Sequence, residues 1–172
     1  EAASEAAGEG DPIDVAADRF ELSGGPLVVD TPGLTLRSVG QRATVARTNA
    51  TTDPNTGAAV DITAADVTFE RFEVTNDGLN GIKVTGPSSG VTVRNNRVRD
   101  LGPVGRLGVT GIIAQGGAHD DLTVENNLVT GLRNEITDDT DGGFPTVNGI
   151  FVDDADIADS TIANNVVRDL AS

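Results

Sequence analysis

The sequence predicts an all-β chain wound as one single-stranded parallel β-helix, with three short parallel sheets, about six turns and a short N-terminal capping helix. Three observations predict it. One string occurs three times: GIKVTGPSSGVTVRNNRVRDL from Gly81, GIIAQGGAHDDLTVENNLVTGL from Gly111 and GIFVDDADIADSTIANNVVRDL from Gly149. Each copy opens an apolar strand on Gly-Ile, makes a small polar turn and runs a strand of Val-Thr-Val type. An Asn-Asn pair, a third strand and a Leu follow. The second observation is the spacing. Second strands begin at residues 34, 67, 91, 122 and 160, so the intervals are 33, 24, 31 and 38 residues. Irregular periods above a shortest unit of 24 describe a coil with loops inserted at one corner. The third is strand length. Such short strands bury no face alone, but three per turn, stacked at about 4.8 Å, form parallel ladders around an apolar column.

The elements follow in order. Residues 1–10, EAASEAAGEG, are Ala/Glu-rich and read as the capping helix or as a linker, ended by Gly8, Gly10 and Pro12. The β-helix occupies 11–172. Ile13-Asp14-Val15 and Phe20-Glu21-Leu22 alternate apolar and polar residues as strands do. First strands fall at 27–29, 60–62, 82–84, 112–114 and 150–152. The insertions precede them, at 48–58, 102–110 and 133–148. Alternation turns Ile82, Val84, Val91, Val93 and Val98 inward, and Lys83, Thr92 and Arg99 outward. Thr35, Thr68, Thr92, Thr123 and Thr161 form an outward β-branched column. The pairs Asn95-Asn96, Asn126-Asn127 and Asn164-Asn165 mark tight corners, because Asn tolerates left-handed backbone and its amides can bond from turn to turn. Ser38-Val39 and Arg71-Phe72 take that place in earlier turns, with Phe72 packing inside.

Composition narrows the function classes. Asp and Glu number 27 against 12 Lys and Arg, a net charge of -15, and Lys83 is the single lysine. Such a surface repels nucleic acid and anionic lipid. No run of about 18 apolar residues is present to span a membrane. Acid excess, one Lys and no Cys resemble proteins of salt-loving organisms, where a Debye length of about 3 Å at molar salt screens self-repulsion. Without Cys there is no disulfide or thiolate chemistry, and without Cys or Met a copper site would rest on His119 alone. The start at Glu1 reads as that of a processed chain or a fragment.

The repeat GIxV…VTVxNNxV resembles the right-handed parallel β-helix of the pectate lyase-like superfamily, and the opening AAGEGDPIDVAADRFELSGGPLVVDTPGLTLRSVG resembles its capping segment and first coils. That group includes polysaccharide lyases, hydrolases and epimerases, viral tailspikes and non-catalytic surface proteins. In the resembling enzymes the substrate lies along the outward face of the first sheet. Here that line is Val28, Asp61, Lys83, Ile113 and Phe151, with Phe144 on the flanking loop. The resemblance implies Asp61, Lys83, Ile113, Phe144 and Phe151 as substrate-binding residues. Asp61 and Lys83 read as metal ligand and base of a uronate lyase, or as a cross-strand ion pair. Phe144 and Phe151 could stack on a sugar, or Phe144 packs on Phe151 and Ile113. The Asp-rich motifs of polygalacturonases are absent, so no catalytic residue is assigned.

Asp138, Asp139 and Asp141, in an Asp/Gly run, suit calcium, although the EF-hand's closing Glu is missing. A second acidic run, Asp153, Asp154, Asp156 and Asp159, is a weaker calcium candidate. His119, beside Asp120 and Asp121, reads as a solvated turn histidine. The expected role is a non-catalytic extracellular or cell-surface module, structural, adhesive or glycan-binding. The alternatives are a polysaccharide lyase or other carbohydrate-active enzyme on polyuronates and a viral tail fibre or spike segment. The expected partners are a polysaccharide and further copies of the chain, joined through a β-helix end or an outer sheet face. The C-terminal RDLAS carries no capping pattern, so the chain is expected to continue or to be covered by another subunit.

Overall fold

In a computed structural model, residues 10, 12–48, 57–102, 108–134 and 146–171 are described. The expected capping helix, most of each inserted loop, Phe144, Asp138, Asp139 and Asp141 lie outside them.

The chain coils through three strands per turn. The first turn is β1 (Pro12–Ala16), β2 (Arg19–Leu22) and β3 (Leu27–Val29). The second is β4 (Thr35–Val39), β5 (Thr44–Arg47) and β6 (Ala58–Ile62). The third is β7 (Thr68–Glu70), β8 (Glu73–Asn76) and β9 (Asn80–Thr85). The fourth is β10 (Thr92–Arg94), β11 (Arg97–Leu101) and β12 (Val109–Asp120), and the fifth β13 (Thr123–Glu125), β14 (Leu128–Arg133) and β15 (Val147–Ala158). β16 (Thr161–Ala163) and β17 (Val166–Ala171) begin the sixth. Every third strand pairs in parallel, giving sheets ordered β1-β4-β7-β10-β13-β16, β2-β5-β8-β11-β14-β17 and β3-β6-β9-β12-β15. This is the parallel β-helix the repeat predicts.

Inward residues stack into continuous apolar columns. Leu36, Phe69, Val93 and Val124 lie in register along one sheet, and Val60, Ile82 and Ile112 along another. All seven are buried. Phe72 packs inside as expected, its ring stacked on Phe69 with centroids 4.6 Å apart. Such a pair adds about 0.5–1.5 kcal/mol beyond burial.

The corners explain the repeat's spelling. Asn95, Asn126 and Asn164 take φ of 57°, 56° and 55°, the left-handed backbone that Asn accepts most readily after glycine. Their partners Asn96 and Asn127 turn inward and are buried. Asn96 N–H donates to Asn127 Oδ1, and Asn127 N–H to Asn165 Oδ1, each at 2.9 Å. The amide groups donate onward to the Phe69, Val93 and Val124 carbonyls. Phe72 N–H, bound to Asn96 Oδ1 at 3.0 Å, ends the ladder.

In the second turn Ser38 keeps the acceptor role, its Oγ receiving Ala43 N–H at 2.7 Å. The Phe72 place is filled by Ala43 and not Val39, because this corner is four residues longer; Glu73 N–H bonds to the Ala43 carbonyl. The turn expected between first and second strands is also different in two copies. β12 and β15 pair through it, from Val109↔Val147 to Asp120↔Ala158. The two segments are equally long there, so nothing forces the ladder to break.

Candidate functional site

The outward face of the β3-β6-β9-β12-β15 sheet carries the expected line. Val28 pairs with Asp61, Asp61 with Lys83, Lys83 with Ile113 and Ile113 with Phe151. The structure therefore brings together Asp61, Lys83, Ile113 and Phe151. They are not equally accessible. Val28 and Phe151 are 45% and 40% exposed, whereas Lys83 and Ile113 are buried at 5% and 6%. Two residues further along each strand runs a polar row, Thr85, Gln115 and Asp153, also in register.

Lys83 and Asp61 face each other in register, but no ion pair joins them among the described residues. The carboxylate is taken instead by Thr85, whose hydroxyl donates to Asp61 Oδ1 at 2.6 Å. A short hydroxyl donor one turn away reaches it along the same face, and this overrides the expected cross-strand pair. Gln115 Nε2 likewise donates to Asp153 Oδ2 at 3.1 Å. Of the second acidic run, Asp153 and Asp156 lie on β15, where alternation turns them to opposite faces, and Asp159 follows the strand. Among the described residues no group of three potential ligands could hold a metal ion.

His119 is the clearest correction. It is fully buried, not solvated, with Nδ1 3.0 Å from Ser88 Oγ and Nε2 without a hydrogen-bond partner among the described residues. The cause is the ladder through the corner, which sets His119 opposite Ile157 at an inward position. Burial pushes the imidazole below its ordinary pKa, and a backbone bond to Gln115 pulls only partly the other way. The unfolded chain therefore takes up a proton near pH 6.5 that the folded chain refuses. Stability is complete above that pH and falls as the solution is acidified through it. Denaturant midpoints measured from pH 7.5 to 5.5 are expected to decline, and His119→Gln should flatten the decline in that window.

One arrangement escaped the reading by strands. Outward from the β4-β7-β10-β13 ladder, charges alternate turn by turn: Asp14, Arg37, Glu70, Arg94 and Glu125. Arg37 bonds Asp14 at 2.7 Å and Arg94 bonds Glu70 at 2.7 Å. The signal was present in the tails LTLR, VTFE, VTVR and LTVE once stacked. The exposed Arg37–Asp14 pair contributes about 0–1 kcal/mol, whereas Glu70 of the second pair is buried. On the next sheet Arg99 and Arg97 both reach Glu73, and the Arg99 hydrogen bond holds that carboxyl below the usual range.

A family model described as a right-handed β-helix region matches residues 33–172. No curated protein and no solved structure matches the chain.

Proposed function

The chain belongs to the right-handed β-helix region family, and on that fold we propose that it is a non-catalytic extracellular or cell-surface module that lays the face of Ile113 and Phe151 against a polysaccharide. The observation that carries the reading is the paired strip on that face. The half-exposed Phe151 ring offers an apolar platform for a sugar, and the adjoining row of Thr85, Gln115 and Asp153 offers donors and acceptors for hydroxyls. The carboxylates of the strip are spaced against hydrolysis. Asp61 and Asp153 sit three strands apart, about 14 Å at parallel spacing. An inverting pair needs about 6.5–9.5 Å.

One observation favours a second reading, a polyuronate lyase. Lys83 is buried on this face beside Asp61 with no ion pair among the described residues, and an uncompensated amine is a candidate base.

The test is incubation with polyuronates and neutral glycans in molar salt with calcium, scoring retained binding and new unsaturated ends together. Binding without products is expected, weakened roughly two- to tenfold by Phe151→Ala. Products that vanish in Lys83→Ala would make the protein a lyase. Neither binding nor products would leave an assembly role.

A further inference from the structure

We propose that the corner between β4 and β5, where Arg42 and Arg71 meet, is a binding site for an oxyanion of the sulfate or phosphate type. The site lies at the corner leading from the β4 sheet to the β5 sheet, off the outward strip of the β3 sheet, and is independent of the glycan reading.

The repeat is broken here twice. The corner that later turns close with Asn-Asn is four residues longer in the second turn, where it carries Gly40, Gln41 and Arg42. In the third turn Arg71 takes the left-handed position, φ 67°, that Asn95, Asn126 and Asn164 hold afterwards. A long side chain gains nothing from that backbone, which favours Asn and Gly. Both departures place a guanidinium at one spot. Arg42 Nη1 donates to the Asn95 carbonyl at 2.6 Å, and Arg71 Nη2 donates to the Gly40 carbonyl at 3.1 Å. These bonds fix the two groups around a shallow basin lined by Gly40, Gln41, Arg42, Arg71 and Asn95.

Six of the described arginines, Arg19, Arg37, Arg94, Arg97, Arg99 and Arg168, find carboxylates, though Arg133 does not. Arg42 and Arg71 have none within 4.0 Å among the described residues. Glu73, the acid near this corner, is bonded by Arg97 and Arg99, and the Arg42 charge acts on it only from beyond ion-pair distance. A guanidinium has five N–H donors, so each has donors left over after its carbonyl bond. Two such forks, pre-set and with no carboxylate within 4.0 Å among the described residues, match an oxyanion with several acceptor oxygens.

The test is a titration of the isotope-labelled chain with sulfate at constant ionic strength, following arginine Nε–H resonances. Saturable shifts confined to Arg42 and Arg71 are expected. Arg71→Asn, which installs the residue of the three later turns and should fold as well as the parent, is expected to weaken binding about tenfold, as is Arg42→Gln. Shifts that never saturate, or an Arg71→Asn chain that folds and binds like the parent, would overturn the proposal. Parallel arms with free phosphate, a sulfated oligosaccharide and its unsulfated counterpart separate the sources. Tighter binding of the sulfated chain assigns the anion to a glycan, and equal affinity assigns a free ion; either upholds the site. Equal corner shifts with the unsulfated chain would sink it.

Discussion

Asn127→Ala is expected to lower the stability of the fold by about 3–4 kcal/mol, read as a shift in the urea or guanidinium midpoint. The side chain serves four bonds in the middle of the ladder. Its Oδ1 accepts from Asn96 N–H at 2.9 Å and from Asn96 Nδ2 at 3.2 Å. Its Nδ2 donates to the Val93 carbonyl at 2.9 Å and to Asn165 Oδ1 at 3.0 Å. Alanine removes all four, leaving the buried Asn96 backbone N–H without its acceptor and the Val93 carbonyl without its side-chain donor. Each unsatisfied buried group costs about 1–3 kcal/mol, set against a typical total of about 5–15 kcal/mol. Asn127→Asp should also destabilise, because it keeps the acceptor and turns a second oxygen toward the Val93 carbonyl. The neighbouring Asn126 provides the contrast. It is exposed and contributes its φ of 56°, so Asn126→Gly should be nearly neutral. Equal losses at the two positions would refute the division of labour within the pair.

Gly111→Ala should cost about 1–3 kcal/mol through overpacking. A Cβ on Gly111 would overlap Val129 Cγ1 and stand 2.6 Å from the Gly149 carbonyl oxygen. Gly81 meets the same obstacles in Val98 and the Gly111 carbonyl. The Gly of each Gly-Ile therefore exists because the chain enters the first sheet directly beneath a valine of the third strand. The double variant Gly111→Ala, Val129→Ala should recover only part of the loss: the valine can be shortened, but the carbonyl belongs to the ladder. Full recovery would show that the side chain alone sets the constraint, and a neutral single variant would refute the close approach.

Strand positions, the three sheets and the buried Phe72 were legible because they follow from local rules. Alternation sets the faces, Asn and Gly mark the corners, and a repeated string repeats its conformation. The same rules put Asp61, Lys83, Ile113 and Phe151 on one outward line. They failed where a residue's fate depends on its neighbour one turn away. His119 looked like a turn residue beside two aspartates until the paired β12 and β15 carried alternation through the corner and turned it inward. Asp61 looked like the partner of Lys83 until Thr85, displaced by two residues along β9, supplied a shorter hydrogen bond.

By itself, then, the sequence determined that this chain is a coil of short parallel strands, where most of its turns bend and which apolar side chains fill its core. Those properties are set by the backbone preferences and apolar pattern of contiguous residues. Tertiary structure alone decided which polar groups meet: the Asp14 to Glu125 charge ladder, the sealed His119–Ser88 pair and the convergence of Arg42 and Arg71. In a β-helix such partners are a full turn apart along the chain, and insertions of different length change that separation from turn to turn. Only the assembled ladders say which residue stands above which.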